Sequence, residues 1–127
     1  MNQELLHDVA VRQIQEVLSS DQFKDLSVVI ASRTTGTSFF QGNDRLCKVL
    51  KTKRGLRIEI NVDLPQELIS LPGMVTIDAA EAYTKHYGTV RHIYKGESLQ
   101  DIKTIMTEAV RIFKQNIATK QAQIQIM

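Results

Sequence analysis

The 127-residue chain has one cysteine, two prolines, three histidines and no tryptophan. A lone cysteine, Cys47, excludes an intramolecular disulfide and points to a reducing compartment. It cannot complete a structural zinc site, and His7, His86 and His92 fall at no metal-ligand spacing, so no metal site is expected. Two prolines and six glycines leave no composition for a low-complexity linker. The longest apolar run is Val28-Val29-Ile30-Ala31, far short of the ~20 residues a membrane helix needs. The opening Met-Asn-Gln-Glu-Leu-Leu-His-Asp carries acids where an export signal would carry bases ahead of an apolar run. These absences lead to the expectation of a cytoplasmic protein with no membrane partner. No glycine-rich phosphate loop is present either, because Thr34-Thr35-Gly36-Thr37 lacks both the length and the lysine of one. No cofactor is expected.

What the chain does have is an uneven charge. Its formal balance of +2 hides a basic stretch. Between residues 33 and 57 stand Arg33, Arg45, Lys48, Lys51, Lys53, Arg54 and Arg57 against one acid, Asp44. The remainder holds nine bases and thirteen acids, so a basic segment rides on an acidic body. Such asymmetry bears on partners rather than on fold. Hydrophobic content of 43% and charged content of 24% are ordinary globular values. The length fits one domain over residues 1–127. A chain of this size buries roughly two thirds of its unfolded surface, enough for a core without staples.

Hydrophobic spacing divides the chain into elements. Leu6, Val9, Ala10, Ile14, Val17 and Leu18 recur at three and four, which predicts a helix over residues 3–18. Leu26 to Ser32 is short and β-branched and reads as a buried strand, followed by a strand at Ser38–Gln41. Leu46–Thr52 and Leu56–Val62 are the clearest strands, the second alternating Leu56, Ile58, Ile60 and Val62 with polar residues. Pro65 opens a helical turn to Ile69, and Met74 to Ile77 reads as extended. Asp78 and Glu81 fit a capping box for a helix at Ala79–His86, and Thr89–Tyr94 reads as a strand. Ser98 and Asp101 open a helix from Leu99 to about Thr119, with Ile102, Ile105, Met106, Ala109, Val110, Phe113 and Ile117 as its apolar stripe. The expected fold class is α+β: an antiparallel sheet of about five strands covered on one face by the N- and C-terminal helices.

The hairpin between the two clearest strands concentrates the cations. A three-residue loop, Lys53-Arg54-Gly55, places Gly55 where a left-handed residue is wanted. That loop sets Leu50 opposite Ile58 and Leu46 opposite Val62, and it sets Lys51 opposite Arg57 on the outer face. Like charges in that position repel. A bound polyanion, such as a run of nucleic-acid phosphates, would relieve the repulsion. The candidate binding residues are therefore Arg45, Lys51, Lys53, Arg54 and Arg57. The competing reading is a solvated strand edge whose lysines prevent aggregation.

Two further features carry alternatives. Tyr83, His86, Tyr87, Arg91 and His92 form a candidate cluster for a small anion, or for general-base chemistry. No carboxylate stands at a spacing that would obviously orient either imidazole, and a satisfied, partly buried histidine on the strand face of Val90 and Tyr94 explains His92 better, so a non-catalytic role is expected. The tail at 119–127 carries Ala122, Ile124 and Ile126. It extends the last helix, frays, or pairs with a second copy as a homodimer.

From Lys48 to Phe113 the order of features resembles a known type. Val49-Leu50-Lys51-Thr52-Lys53-Arg54-Gly55-Leu56-Arg57-Ile58-Glu59-Ile60 is followed by Lys85-His86-Tyr87-Gly88-Thr89-Val90. A helix then opens with Ser98-Leu99-Gln100-Asp101-Ile102. This arrangement resembles small bacterial α+β domains of unknown function, of the transport- or endonuclease-associated type. The resemblance implies a small α+β domain and supplies no catalytic residues. The leading functional expectation is a binding module whose basic hairpin meets a polyanion. A homodimeric or partner-binding accessory domain is the alternative, and a site around His86, Arg91 and His92 the second.

Overall fold

The computed structural model describes residues 3–52, 55–77 and 90–126. Among the described residues, three helices and six strands run in the order α1 (Gln3–Leu18), β1 (Val29–Arg33), β2 (Gly36–Gln41), β3 (Asp44–Leu50), β4 (Arg57–Ile60), α2 (Gln66–Ile69), β5 (Met74–Thr76), β6 (His92–Tyr94) and α3 (Leu99–Ile126). The strands form one antiparallel sheet ordered β1-β2-β3-β4-β6-β5, one strand more than the sequence predicts. The predicted helix at Ala79–His86 lies outside the described residues.

One face of the sheet carries the core. Phe39, Cys47, Val49, Ile58, Ile60 and Tyr94 pack in one cluster with Ala10, Ile14 and Val17 of α1 and with Ile102, Ile105, Met106, Ala109, Val110 and Phe113 of α3. Each of these residues is buried, as their helical and alternating spacings require. His7 lies on the same α1 stripe and is buried. Its ring nitrogens meet Thr37 Oγ1 of β2 and Asp8 Oδ1, each at 3.0 Å. A polar pin thus ties α1 to the sheet in the middle of an apolar face.

α3 starts as expected: Asp101 N–H donates to Ser98 Oγ at 3.2 Å. It continues to Ile126, past the expected end at Thr119. Lys114 Nζ donates to the Gln22 carbonyl at 2.9 Å, and Lys120 Nζ reaches Asp44 Oδ1 at 3.1 Å, so its later turns are tethered to the body. Beyond Lys120 its described side chains are exposed, Ile124 among them.

Two expectations are corrected. The hairpin pairs Cys47 with Ile60, Lys48 with Glu59, Val49 with Ile58 and Leu50 with Arg57. The register is shifted by one residue from the expected one, so Lys51 does not stand opposite Arg57. The cause is a bulge. Phe39 pairs with Cys47 but Phe40 pairs with Arg45, which leaves Leu46 as an extra residue in β3. The bulge turns both Leu46 and Cys47 inward, and both are fully buried. Counting alternation outward from Leu46 therefore assigns every later side chain of β3 to the wrong face. The observed register also sets Lys48 against Glu59, an unlike pair.

The second correction concerns Leu26–Ser32, expected as a buried strand. It supplies β1, the edge of the sheet, where Val29 is 64% exposed and Ile30 39%. A run of β-branched residues looks alike in a central strand and at an edge, because intrinsic propensity does not report the number of neighbours.

Candidate polyanion interface at the hairpin end

The outer face of the sheet is set by the hairpin register. Residues directly opposite each other share a face. Lys48, Leu50, Arg57 and Glu59 therefore project away from the helices, and Ile93 of β6 lies on the same side. Ile93 is buried there in a small separate cluster with Ile77 and Val90. The far side of the sheet is thus partly apolar beside β5 and β6, and cationic towards the β3–β4 turn.

The expected binding residues divide into two groups. Arg45 sits at the start of β3, about 20 Å along the strand from Lys51. Its Nε–H donates to Asn61 Oδ1 at 3.0 Å, and one terminal nitrogen meets Glu59 Oε1 at 3.5 Å. Both ends of that ion pair are mostly shielded, with side-chain exposures of 20% and 11%. Arg45 also borders a cleft of about 520 Å³ with Asn61, Phe113, Ile117 and the Asp44–Lys120 pair. It is neutralised in place and points to a different region from the turn.

Lys51 and Arg57 remain at the turn end. Lys51 is exposed, and Arg57 is partly buried. The Arg57 Nε–H is shielded from solvent and has no hydrogen-bond partner among the described residues. Gly55 has φ of +100°, the left-handed conformation expected of it. Lys53 and Arg54 lie outside the described residues.

A third cation joins from β6. Ile58 pairs with Tyr94, so the same register carried one residue further sets Lys95 beside Arg57. Lys95 N–H donates to the Gly73 carbonyl at 2.8 Å, which holds its backbone in the sheet. Nothing in the local sequence around Lys95 ties it to the hairpin. Its closeness to Arg57 depends on β6 returning to lie beside β4, across more than thirty residues of chain. Among the described residues, neither Lys51, Arg57 nor Lys95 has a carboxylate within ion-pair distance. Glu97 is the acid beside the tip, with Oε1 3.7 Å from the point a Gly55 Cβ would occupy.

Of the histidine cluster, the structure describes Arg91 and His92, and these two side chains do not converge. Tyr83, His86 and Tyr87 lie outside the described residues. Arg91 and His92 are neighbours in an extended segment, so their side chains take opposite faces. Arg91 Nε lies 4.0 Å from Asp63 Oδ1. His92 is only 3% exposed and points into the core face. The Leu64 N–H donates to its Nε2 at 3.0 Å, and its Nδ1 meets Thr76 Oγ1 at 3.1 Å. An Nε2 that accepts a backbone hydrogen bond fixes the proton on Nδ1, which then donates to Thr76. Burial holds the His92 pKa below its ordinary value; Asp63 opposes that effect and Arg91 adds to it. With both nitrogens used structurally, His92 has no site left for proton transfer.

Nearby, burial raises the Tyr94 phenol, whose oxygen accepts the Ser98 N–H at 3.2 Å. Burial also pushes the Cys47 thiol far up, against a smaller opposing effect of Arg45. Among the described residues no group of three or more His, Cys, Asp and Glu side chains is placed to hold a metal ion. None of their helices is long and apolar enough to cross a membrane. No family model, curated protein or solved structure matches the chain.

Proposed function

We propose that this chain is a non-catalytic binding module whose hairpin end contacts a polyanion, nucleic acid first among them. The observation that carries the reading is the trio Lys51, Arg57 and Lys95, none of which meets a carboxylate within ion-pair distance among the described residues. Lys53 and Arg54 add two cations to the same turn by sequence. Concentrated positive charge without internal compensation binds phosphate backbones by releasing their counterions. Arg45 is left out of the interface, because Glu59 and Asn61 already hold it. The engaged nitrogens of His92 favour binding over catalysis.

Anisotropy titrations of labelled duplex DNA, single-stranded DNA and single-stranded RNA, each at two salt concentrations, test this reading. Five phosphate contacts would give a log–log salt slope of about −4.5 on duplex DNA and about −3.5 on single strands. The double variant Lys53→Glu/Arg54→Glu is expected to lose binding at low salt. Equal binding by that variant, or no binding by the wild type at low salt, removes the reading.

A further inference from the structure

We infer that the cleft between α3 and the end of the sheet remote from the hairpin binds a planar, uncharged heterocycle whose edge sets donors beside acceptors, the chemistry of a nucleobase. The cleft forms where the strands stop and the helix does not. β2 ends at Gln41, β3 starts at Asp44 and β4 ends at Ile60, while α3 runs on to Ile126. The space left between them is about 520 Å³, within the range of small-molecule sites. Phe113, Asn116, Ile117 and Lys120 recur at three and four and form one wall from a single face of α3. The opposite wall comes from the β2–β3 turn and from the bulge, which pairs Phe40 with Arg45 and so sets both on one side of the sheet.

The ionic groups of the cleft are already matched. Lys120 Nζ reaches from α3 to both oxygens of Asp44, at 3.1 and 3.2 Å. Arg45 meets Glu59 Oε1 at 3.5 Å. A charged ligand of either sign would have to break a pair, so charge does not select the occupant. Hydrogen-bonding edges and apolar faces do. Asn43 stands on the turn and Asn116 on the helix, and neither carboxamide has a hydrogen-bond partner among the described residues. The Arg45 Nε–H donates to Asn61 Oδ1 at 3.0 Å, which fixes the guanidinium plane and leaves Nη1 open among the described residues.

A carboxamide carries a donor and an acceptor side by side, which matches the adjacent donor and acceptor on a base edge. A guanidinium nitrogen adds a donor for a ring carbonyl or ring nitrogen. A flat ring also needs faces. Phe40 is half-buried in one wall, and buried Phe113 with half-buried Ile117 lines the other. Stacking on an aromatic side chain suits any base, because every base has a π-face. An aliphatic ligand would leave both carboxamides unsatisfied, and a linear polyanion would meet cations that are already paired. A nucleobase satisfies edges and faces together.

Nitrogen–proton correlation spectra of the full chain, titrated with adenosine, guanosine, cytidine and uridine, test this. At least one nucleoside is expected to give saturable shifts at Phe40, Asn43, Arg45, Asn116 and Ile117, with a Kd of about 1 mM or tighter. Ribose should give none, and the matching nucleoside monophosphate should bind within about threefold of the nucleoside, since the cations are paired. Asn116→Trp places an indole in the cleft from an exposed helical position and should abolish the shifts with unchanged circular dichroism. A single-stranded homo-oligomer of the same base separates the two sources: cleft shifts with the oligomer assign the site to an unpaired base of a strand, and cleft shifts with the nucleoside alone assign it to free nucleosides. No saturable shift with any nucleoside at ~10 mM overturns the inference. So do shifts confined to Lys51, Arg57 and Lys95, a monophosphate more than about tenfold tighter than its nucleoside, or wild-type affinity in Asn116→Trp.

Discussion

Replacing His92 by Phe is expected to destabilise the fold by about 1–3 kcal/mol near neutral pH, and the loss should shrink as the pH falls. The ring volume is nearly kept, so little cavity forms. What is lost is the acceptor for the Leu64 N–H, in a residue that is itself buried. A buried donor left without a partner costs about 1–3 kcal/mol. The Thr76 hydroxyl, in an exposed residue, regains water and adds little. The pH dependence follows from the direction of the His92 shift. Its folded pKa is depressed, so between that value and the unfolded ~6.5 the unfolded chain binds the extra proton. Wild-type stability from this group is therefore complete above ~6.5 and declines on acidification, by at most about 1.4 kcal/mol per pH unit, until the folded pKa is reached. A phenylalanine has no such limb. Urea unfolding of both proteins at about pH 7.5, 6.5 and 5.5 isolates it, because the other titrating groups cancel in the difference. A difference that stays constant or grows towards acid would refute the assigned tautomer, as would a variant within about 0.5 kcal/mol of wild type at neutral pH.

Arg45→Met should cost about 1–3 kcal/mol by removing a largely shielded charge-assisted pair with Glu59 and the hydrogen bond to Asn61, and Lys51→Met under about 0.5 kcal/mol, both read by urea midpoints. Equal effects of the two would contradict the division drawn between them. Cys47 should resist alkylation by iodoacetamide in native buffer and react fully in denaturant, because its thiol is buried and its pKa is raised by that burial. Labelling of the native protein at the rate of a free thiol would show the bulged strand to be open.

The parts of the fold set by local periodicity were legible in the sequence. Leu56, Ile58, Ile60 and Val62 alternate and are all buried, and the stripe from Ile102 to Phe113 packs on the sheet as spaced. The Ser98 cap and the left-handed Gly55 follow from side-chain and backbone chemistry within a few residues. What failed depends on distant pairing. The bulge at Leu46 answers to Phe39 and Phe40 on another strand, and no local pattern announces it. The charge concentration around the turn was visible in composition, but not the separation of Arg45 from Lys51, which the bulge and Glu59 decide. Lys95 entered the site through the β4–β6 pairing alone. His7 sat at the right spacing on an apolar stripe, yet its partner Thr37 lies thirty residues away.

The packing of α1 against α3 bears on how the molecule is made. The apolar stripe of Ala10, Ile14 and Val17 is synthesised first, while Ile105, Ala109 and Phe113, which share its core, come nearly a hundred residues later. During translation the meander of β1 to β4 can zip by short-range closure, but the core stays half open until the last helix leaves the ribosome. A nascent chain stalled before Leu99 would display a greasy helix and a bare sheet face together, a natural substrate for a holdase chaperone.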